Sequence, residues 1–332
     1  MKRPLFVFAG QSNMMGAAVN PAKEQVYFND SYEYLHKPRR FGEPIGSFKK
    51  EGFPAGEFSY KDLDEAYGKG ASAFAKSTLS DYMKNSFFCP AMNELKNAET
   101  KERYKLEEFS ESFFPPMCAT MAPYIVKGLE DAGYACAYTH IAKGGMDIKY
   151  FIEGDAADYF YRKSADFFVD AEKHFATDDT SEKILVWHQG ESDVSNGCDY
   201  YVEALGRLWE KAKNIGFTKF LIIRVGYWAV DEITEIMRAQ EIFCRKTEDA
   251  YIVTRAASFI EWCPSVSRRM MDWEVTDEFN EKCRDAYLGY WNGHLNEKGF
   301  RTIAKYAIPN IIRIVFEGKE PILEEEKVNA LK

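Results

Sequence analysis

Five short apolar runs recur along the chain, at 5–9, 135–141, 184–187, 220–225 and 251–254. Four of them lack alternation of apolar and polar positions, the mark of strands covered on both faces; the run at 135–141 is more mixed. Helical patterns lie between them. The clearest is 199–212, where Tyr201, Ala204, Leu205, Leu208 and Ala212 recur at helix spacing and Asp199 is placed to cap the first turn. A second helix is expected over 123–131, with Pro123 tolerated in its first turn, and two more over 157–175 and 233–247. A last helix, over 298–316, should be kinked at Pro309. Strands alternating with helices predict parallel βαβ units, hence an α/β doubly wound parallel sheet in three α/β/α layers. Functional residues should gather at the carboxyl ends of its strands.

One stretch breaks this rhythm. Residues 17–114 are rich in Tyr, Phe, Lys and Glu and poor in Val, Ile and Leu, with turn signals at Gly42-Glu43-Pro44 and Gly52-Phe53-Pro54. So long a structureless loop does not suit a compact domain. The stretch is expected to be an inserted cap of loops and short helices within a single domain spanning 1–332.

Composition narrows the function classes. A 332-residue chain that is 46% apolar can bury a substantial core. Its net charge of −9, with no long basic run, argues against nucleic acid as a partner. No apolar stretch approaches the roughly 20 residues of a membrane-spanning helix, so no membrane partner is expected. Met1-Lys2-Arg3 before a short apolar run imitates a signal peptide, but no small-x-small cleavage site follows, and a first buried strand is the preferred reading. The 7 cysteines are irregularly spaced and include no CxxC pair, which fits a reducing cytoplasm better than a disulfide framework. The pattern sets no oligomeric state.

Candidate chemistry collects where strands end. The first run leads into Gly10-Gln11-Ser12-Asn13-Met14, where a turn can hold the Ser12 hydroxyl above the sheet. The second leads into Lys143-Gly144-Gly145-Met146, and paired glycines let backbone N–H groups approach a ligand. The third leads into Trp187-His188-Gln189-Gly190-Glu191-Ser192-Asp193. Beyond the fifth, just before the last helix, comes Trp291-Asn292-Gly293-His294. Taken alone, each has an ordinary structural explanation: a cap, a turn, a buried histidine. Together they supply what ester cleavage by a nucleophile requires: a hydroxyl, a base, donors for an oxyanion, and a group to orient the base. His36, His140, His174 and His188 show no metal-ligand spacing, and HExxH, GxGxxG and P-loop motifs are absent, so neither metal nor cofactor is expected.

Gly10-Gln11-Ser12-Asn13-Met14 together with Trp187-His188-Gln189-Gly190-Glu191 resembles the sialate O-acetylesterase-like, carbohydrate-acetylesterase branch of the SGNH hydrolases. The resemblance spans both ends of the chain and leaves 17–114 uncovered. It implies a flavodoxin-like sheet in the order 2-1-3-4-5. It implies Ser12 as nucleophile and His294 as base. The oxyanion donors it implies are the Ser12 N–H, a Gly144 or Gly145 N–H and the Gln189 side chain, with Gln11 and Asn13 toward the substrate. The family commonly carries Asp three residues before the catalytic His; here that position is Trp291, followed by Asn292. Within the resemblance the Glu of the Gln-Gly-Glu motif can serve as substitute acid, which points to Glu191, with a backbone carbonyl near His294 as the alternative. The expected activity is hydrolysis of short acyl esters, O-acetyl groups on a carbohydrate above all. Two alternatives stand beside it: an O-acyltransferase using the same acyl-serine, and a carbohydrate-binding relative without turnover.

Overall fold

The computed structural model describes residues 3–15, 26–36, 46–52, 120–175, 182–226, 233–260, 295 and 297–323. Its strands are β1 (Leu5–Gly10), β2 (Tyr32–Leu35), β3 (Ser47–Lys49), β4 (Ala137–Ala142), β5 (Lys183–His188), β6 (Lys219–Ile223) and β7 (Ala250–Thr254). They form a seven-stranded sheet in the order β3-β2-β4-β1-β5-β6-β7. All neighbours are parallel except β2 and β3. The segment β4-β1-β5-β6-β7 reproduces the expected 2-1-3-4-5 order.

The reason these strands read as apolar without alternation is visible in β1. Leu5, Val7 and Ala9 face one hydrophobic cluster, while Phe6 and Phe8 face the other. Side chains alternate between faces with period two, so a strand covered on both sides is apolar at every position. The helices supply the two covers. α3 (Gly154–Phe175), α4 (Gly197–Asn214) and α5 (Ile233–Lys246) pack on the Leu5/Val7/Ala9 side. α2 (Met121–Asp131) and α7 (Glu297–Ile311) pack on the Phe6/Phe8 side. Two four-residue helices complete the set, α1 (Ser12–Met15) and α6 (Ala257–Ile260). In α4 the predicted stripe of Tyr201, Ala204, Leu205, Leu208 and Ala212 is the buried one. Each leucine of that stripe contributes about 1.5–3 kcal/mol by leaving water.

Three expectations need correction. Part of 17–114 is not cap: β2 and β3 extend the sheet past β4. Their shortness hid them, because Tyr32–Leu35 carries a single aliphatic residue. Residues 17–25, 37–45 and 53–114 of that stretch lie outside the described residues. Helix α4 starts at Gly197 with Asn196 in the cap position, so Asp199 sits inside the first turn, where a carboxylate favours the helix dipole. Pro309 is carried within α7, and the departure from α geometry follows it, as a π turn over Ile312–Phe316. Asn310 braces this region by donating to the Val253 carbonyl at 2.9 Å and accepting from the Ile322 N–H at 2.7 Å.

Candidate active site

Ser12 is placed by β1. Gly10 pairs with His188 across the β1–β5 ladder, and the Gln11 N–H donates to the His188 carbonyl at 3.2 Å. Gly10 has φ +148°, and a Cβ there would stand 2.0 Å from that carbonyl oxygen, so only glycine lets the strand turn here. Ser12 then opens α1, which closes through the Met15 N–H on the Gln11 carbonyl at 2.8 Å. The serine is 8% exposed, a narrow opening onto an otherwise buried turn. The thread behind it is fixed as well: the Met14 carbonyl accepts from the Thr120 hydroxyl at 2.7 Å.

The loop after β4 comes to the same point. The Lys143 N–H donates to the Gly10 carbonyl at 3.0 Å, continuing the β1–β4 pairing past its last strand residues. Gly144 follows. A Cβ added to it would lie 3.6 Å from the Ser12 Cβ and 3.0 Å from the Met15 Cε, so its backbone runs against the serine. Gly145 is exposed and has φ +69°. The Gly144-Gly145 backbone is thereby brought beside Ser12.

Gln189 and Gln11 do something other than what the sequence suggests. Gln189 is fully buried. Its amide nitrogen faces Asp193 Oδ2 at 2.5 Å, the Met146 carbonyl at 3.1 Å and Gln11 Oε1 at 3.3 Å. Two amide hydrogens thus meet three internal acceptors, and the donor expected for an oxyanion is turned inward. Its carbonyl ends are held too: Tyr201 Oη donates to the backbone oxygen at 2.7 Å or to Oε1 at 2.8 Å, and Gln240 Nε2 donates to the backbone oxygen at 2.9 Å. Gln11 Oε1 also accepts from the Ser192 N–H at 3.2 Å. Gln11 and Asn13, expected toward substrate, are buried with their side chains on protein partners.

Asp193 closes this network. Its Oδ2 also accepts from the Ile148 N–H at 2.9 Å, and its Oδ1 from Asn196 Nδ2 at 2.8 Å. Burial pushes its carboxyl up to about 6, against the hydrogen bonds from Gln189, Asn196 and Ile148 that favour the charged form. Asp193, Tyr201 and Gln240 were not singled out from the sequence as site residues. The available signal was a carboxylate four residues after Gln189, which a strand-to-loop turn leaves on the same side.

Glu191 lies beside this network. Gly190, with φ +147°, carries the chain past α5, and a Cβ there would meet Ile236 Cγ2 at 2.5 Å. Glu191 is 3% exposed. Its Oε1 accepts from Asn13 Nδ2 at 3.2 Å and stands 3.8 Å from His188 Nε2. His188 donates Nδ1–H to the Ile223 carbonyl at 2.9 Å, since a carbonyl can only accept. Glu191 Oε2 is buried and accepts no hydrogen bond from any described residue. Asn13 Oδ1 accepts from the Leu295 N–H at 3.1 Å. His294 itself lies outside the described residues, as do Trp291 and Asn292.

A second polar assembly sits farther along the same sheet edge, past β6 and β7. Arg224 donates to Glu241 Oε1 at 3.0 Å and to Ser258 Oγ at 2.6 Å. Arg255 grips both Glu241 oxygens, at 2.7 and 2.8 Å. Among the described residues no group of three His, Cys, Asp or Glu side chains could hold a metal ion, and no helix is long and apolar enough to cross a membrane.

Neither the protein-family models nor the curated proteins compared with the chain give a match. Solved structures do. A protein from Arabidopsis thaliana superposes with a TM-score of 0.50 at 11% identity, over 95% of this chain and 100% of that one. NanS aligns at 0.48 and 12% identity, over 95% of this chain and 98% of its own. A carbohydrate acetylesterase from Xanthomonas citri aligns at 0.43 and 12% identity, over 95% of this chain and 57% of its own. At such identities the Arabidopsis likeness speaks for the fold alone: a three-layer α/β/α domain around a mostly parallel sheet.

Proposed function

We propose that the protein is a serine esterase that hydrolyses short acyl esters, O-acetyl groups on a carbohydrate above all, through an acyl-Ser12 intermediate. The observation that carries this reading is the meeting of Ser12, the Gly144 backbone and the Gln189–Glu191 turn at one edge of the sheet. Ser12 Oγ attacks the ester carbonyl as His294, adjoining Leu295 in sequence, takes its proton. The oxyanion is met by the Ser12 N–H and by N–H groups of the Gly144-Gly145 turn. The alcohol leaves with the proton from His294, and water resolves the acyl-enzyme by the same route in reverse. The nucleophile, the base and the oxyanion donors of this cycle all belong to the chain. Gln189 contributes by holding the turn after β4 through Met146 and, by way of Asp193, Ile148.

A chromogenic acetyl ester tests the reading. Wild type should turn over, with Ser12→Ala lower in kcat by a factor of about 10³ or more. An organophosphonate should label Ser12 and no other serine. Turnover that rises as a sugar acceptor is added would make it a transferase; no turnover and no label would leave a binding protein.

A further inference from the structure

Asn13 has a role that its place beside the nucleophile does not disclose. Its side chain is fully buried, so its amide must be satisfied inside the protein. Two groups flank it with opposite needs. The Leu295 N–H, 3.1 Å from Oδ1, requires an acceptor; Glu191 Oε1, 3.2 Å from Nδ2, requires a donor. A carboxamide offers one of each, and those partners fix which way it points. Aspartate would set two carboxylates against each other, and glutamine would need space for one more methylene.

The three residues come from distant parts of the chain: Asn13 from the first turn, Glu191 from the turn after β5, and Leu295 from the approach to α7. Leu295 is further fixed because its side chain is fully buried in the core beneath α2 and α7. It is joined covalently to His294. The Glu191 oxygen that Asn13 does not engage is the one with no described donor.

We propose that Asn13 is a positioning residue: it ties the chain following His294 to the Ser12 turn and turns the Glu191 carboxylate so that only Oε2 is left to receive a further donor. The inference rests on the esterase reading for its catalytic consequence, while the tie itself does not.

Asn13→Ala and Asn13→Asp in the full chain test it. In Asn13→Ala, amide exchange at Leu295 should accelerate about tenfold or more while α7 keeps its protection. With the acetyl ester, kcat should fall by a factor of about 10² with KM nearly unchanged, the cost of a misplaced reacting group. Asn13→Asp keeps an acceptor for Leu295, so exchange there should stay slow. Its carboxyl faces Glu191, so the two share a proton that leaves only above the ordinary carboxylate range, and kcat/KM should show a titration there that wild type lacks. Unchanged Leu295 exchange in Asn13→Ala, near wild-type kcat in that variant, or a kcat/KM profile in Asn13→Asp with the same titrations as wild type would each overturn the proposal. A wild type with neither turnover nor Ser12 labelling defeats the esterase reading instead, and Leu295 exchange still decides the tie.

Discussion

Glu191 and Glu241 are both carboxylates sunk into the carboxyl edge of the same sheet, and they are treated in opposite ways. Glu241 is saturated: two arginines make three hydrogen bonds to its two oxygens. Burial by itself raises its carboxyl, but the Arg255 and Arg224 guanidiniums together hold it below the ordinary range. Glu191 is more deeply buried, has a neutral amide on one oxygen and no described donor on the other. A buried carboxylate oxygen without a donor costs free energy that a structural turn has no reason to bear. Glu241 is fully paired, while among the described residues Glu191 keeps one oxygen open, which is what the proposed esterase cycle asks of a carboxylate beside its base.

The sharpest way to break this contrast is Glu191→Gln. Under the proposed esterase reading, with Glu191 as the acid that orients His294, its loss should lower kcat by a factor of roughly 10²–10⁴ while the protein stays folded. Steady-state kinetics beside a thermal melt decide it. Near wild-type turnover would leave a Ser–His dyad and make Glu191 a loop residue like any other.

Glu241→Gln should invert the pattern. Arg224 is 3% exposed, and neutralising Glu241 removes the carboxylate that meets its Nη1 at 3.0 Å. Breaking such a pair by removing one member costs about 3–5 kcal/mol. The linkage has a definite sign: a carboxyl lowered by folding stabilises above its unfolded pKa and loses that contribution as pH falls through the folded value. Denaturant midpoints should drop in the variant near neutral pH and approach wild type in acid, with kcat changed far less than in Glu191→Gln. A large kcat loss without loss of stability would move the β6–β7 cluster into the active machinery.

These two carboxylates also show what the sequence made legible. The apolar runs at 5–9 and 184–187 announced strands covered on both faces, and the glycines at 10 and 190 marked turns that no side chain permits. Ser12 and Glu191 follow the ends of the first and third apolar runs, and the family resemblance is what singled them out there. The inward turn of Gln189 was only partly legible: Asp193 follows four residues on in the same loop, but Gln11 and Met146 arrive from the turns after β1 and β4, and Tyr201 from α4. Not legible were β2 and β3, which are too short to show a period and gain their stability from pairing with β4 and with each other. Pairwise polar contacts between segments far apart in sequence leave no periodic trace.

The smallest expected effect concerns Asp193, which stands between the two extremes: hydrogen-bonded on both oxygens, yet uncompensated in charge. Burial raises its carboxyl from 3.8 to about 6. A carboxyl raised by folding stabilises the protein fully below its unfolded pKa, and that contribution is lost as pH rises through the folded value. The window is therefore about pH 4 to 6, opposite in direction to Glu241. With each tenfold change in proton affinity worth about 1.4 kcal/mol, the loss across that window reaches about 3 kcal/mol at most. Asp193→Asn keeps an acceptor for the Ile148 N–H and Gln189 Nε2, and Asn196 can turn its amide to match the new donor. The variant should lack the titration. Measured against wild type by denaturant unfolding at a series of pH values, it should be level or weaker near pH 4, gain in relative stability to about pH 6 and level off above that. Taking the difference between the two proteins cancels every other titrating group, Glu241 included. A difference that stays constant from pH 4 to 7 would mean that Asp193 titrates alike folded and unfolded, and that its three hydrogen bonds fully offset its burial.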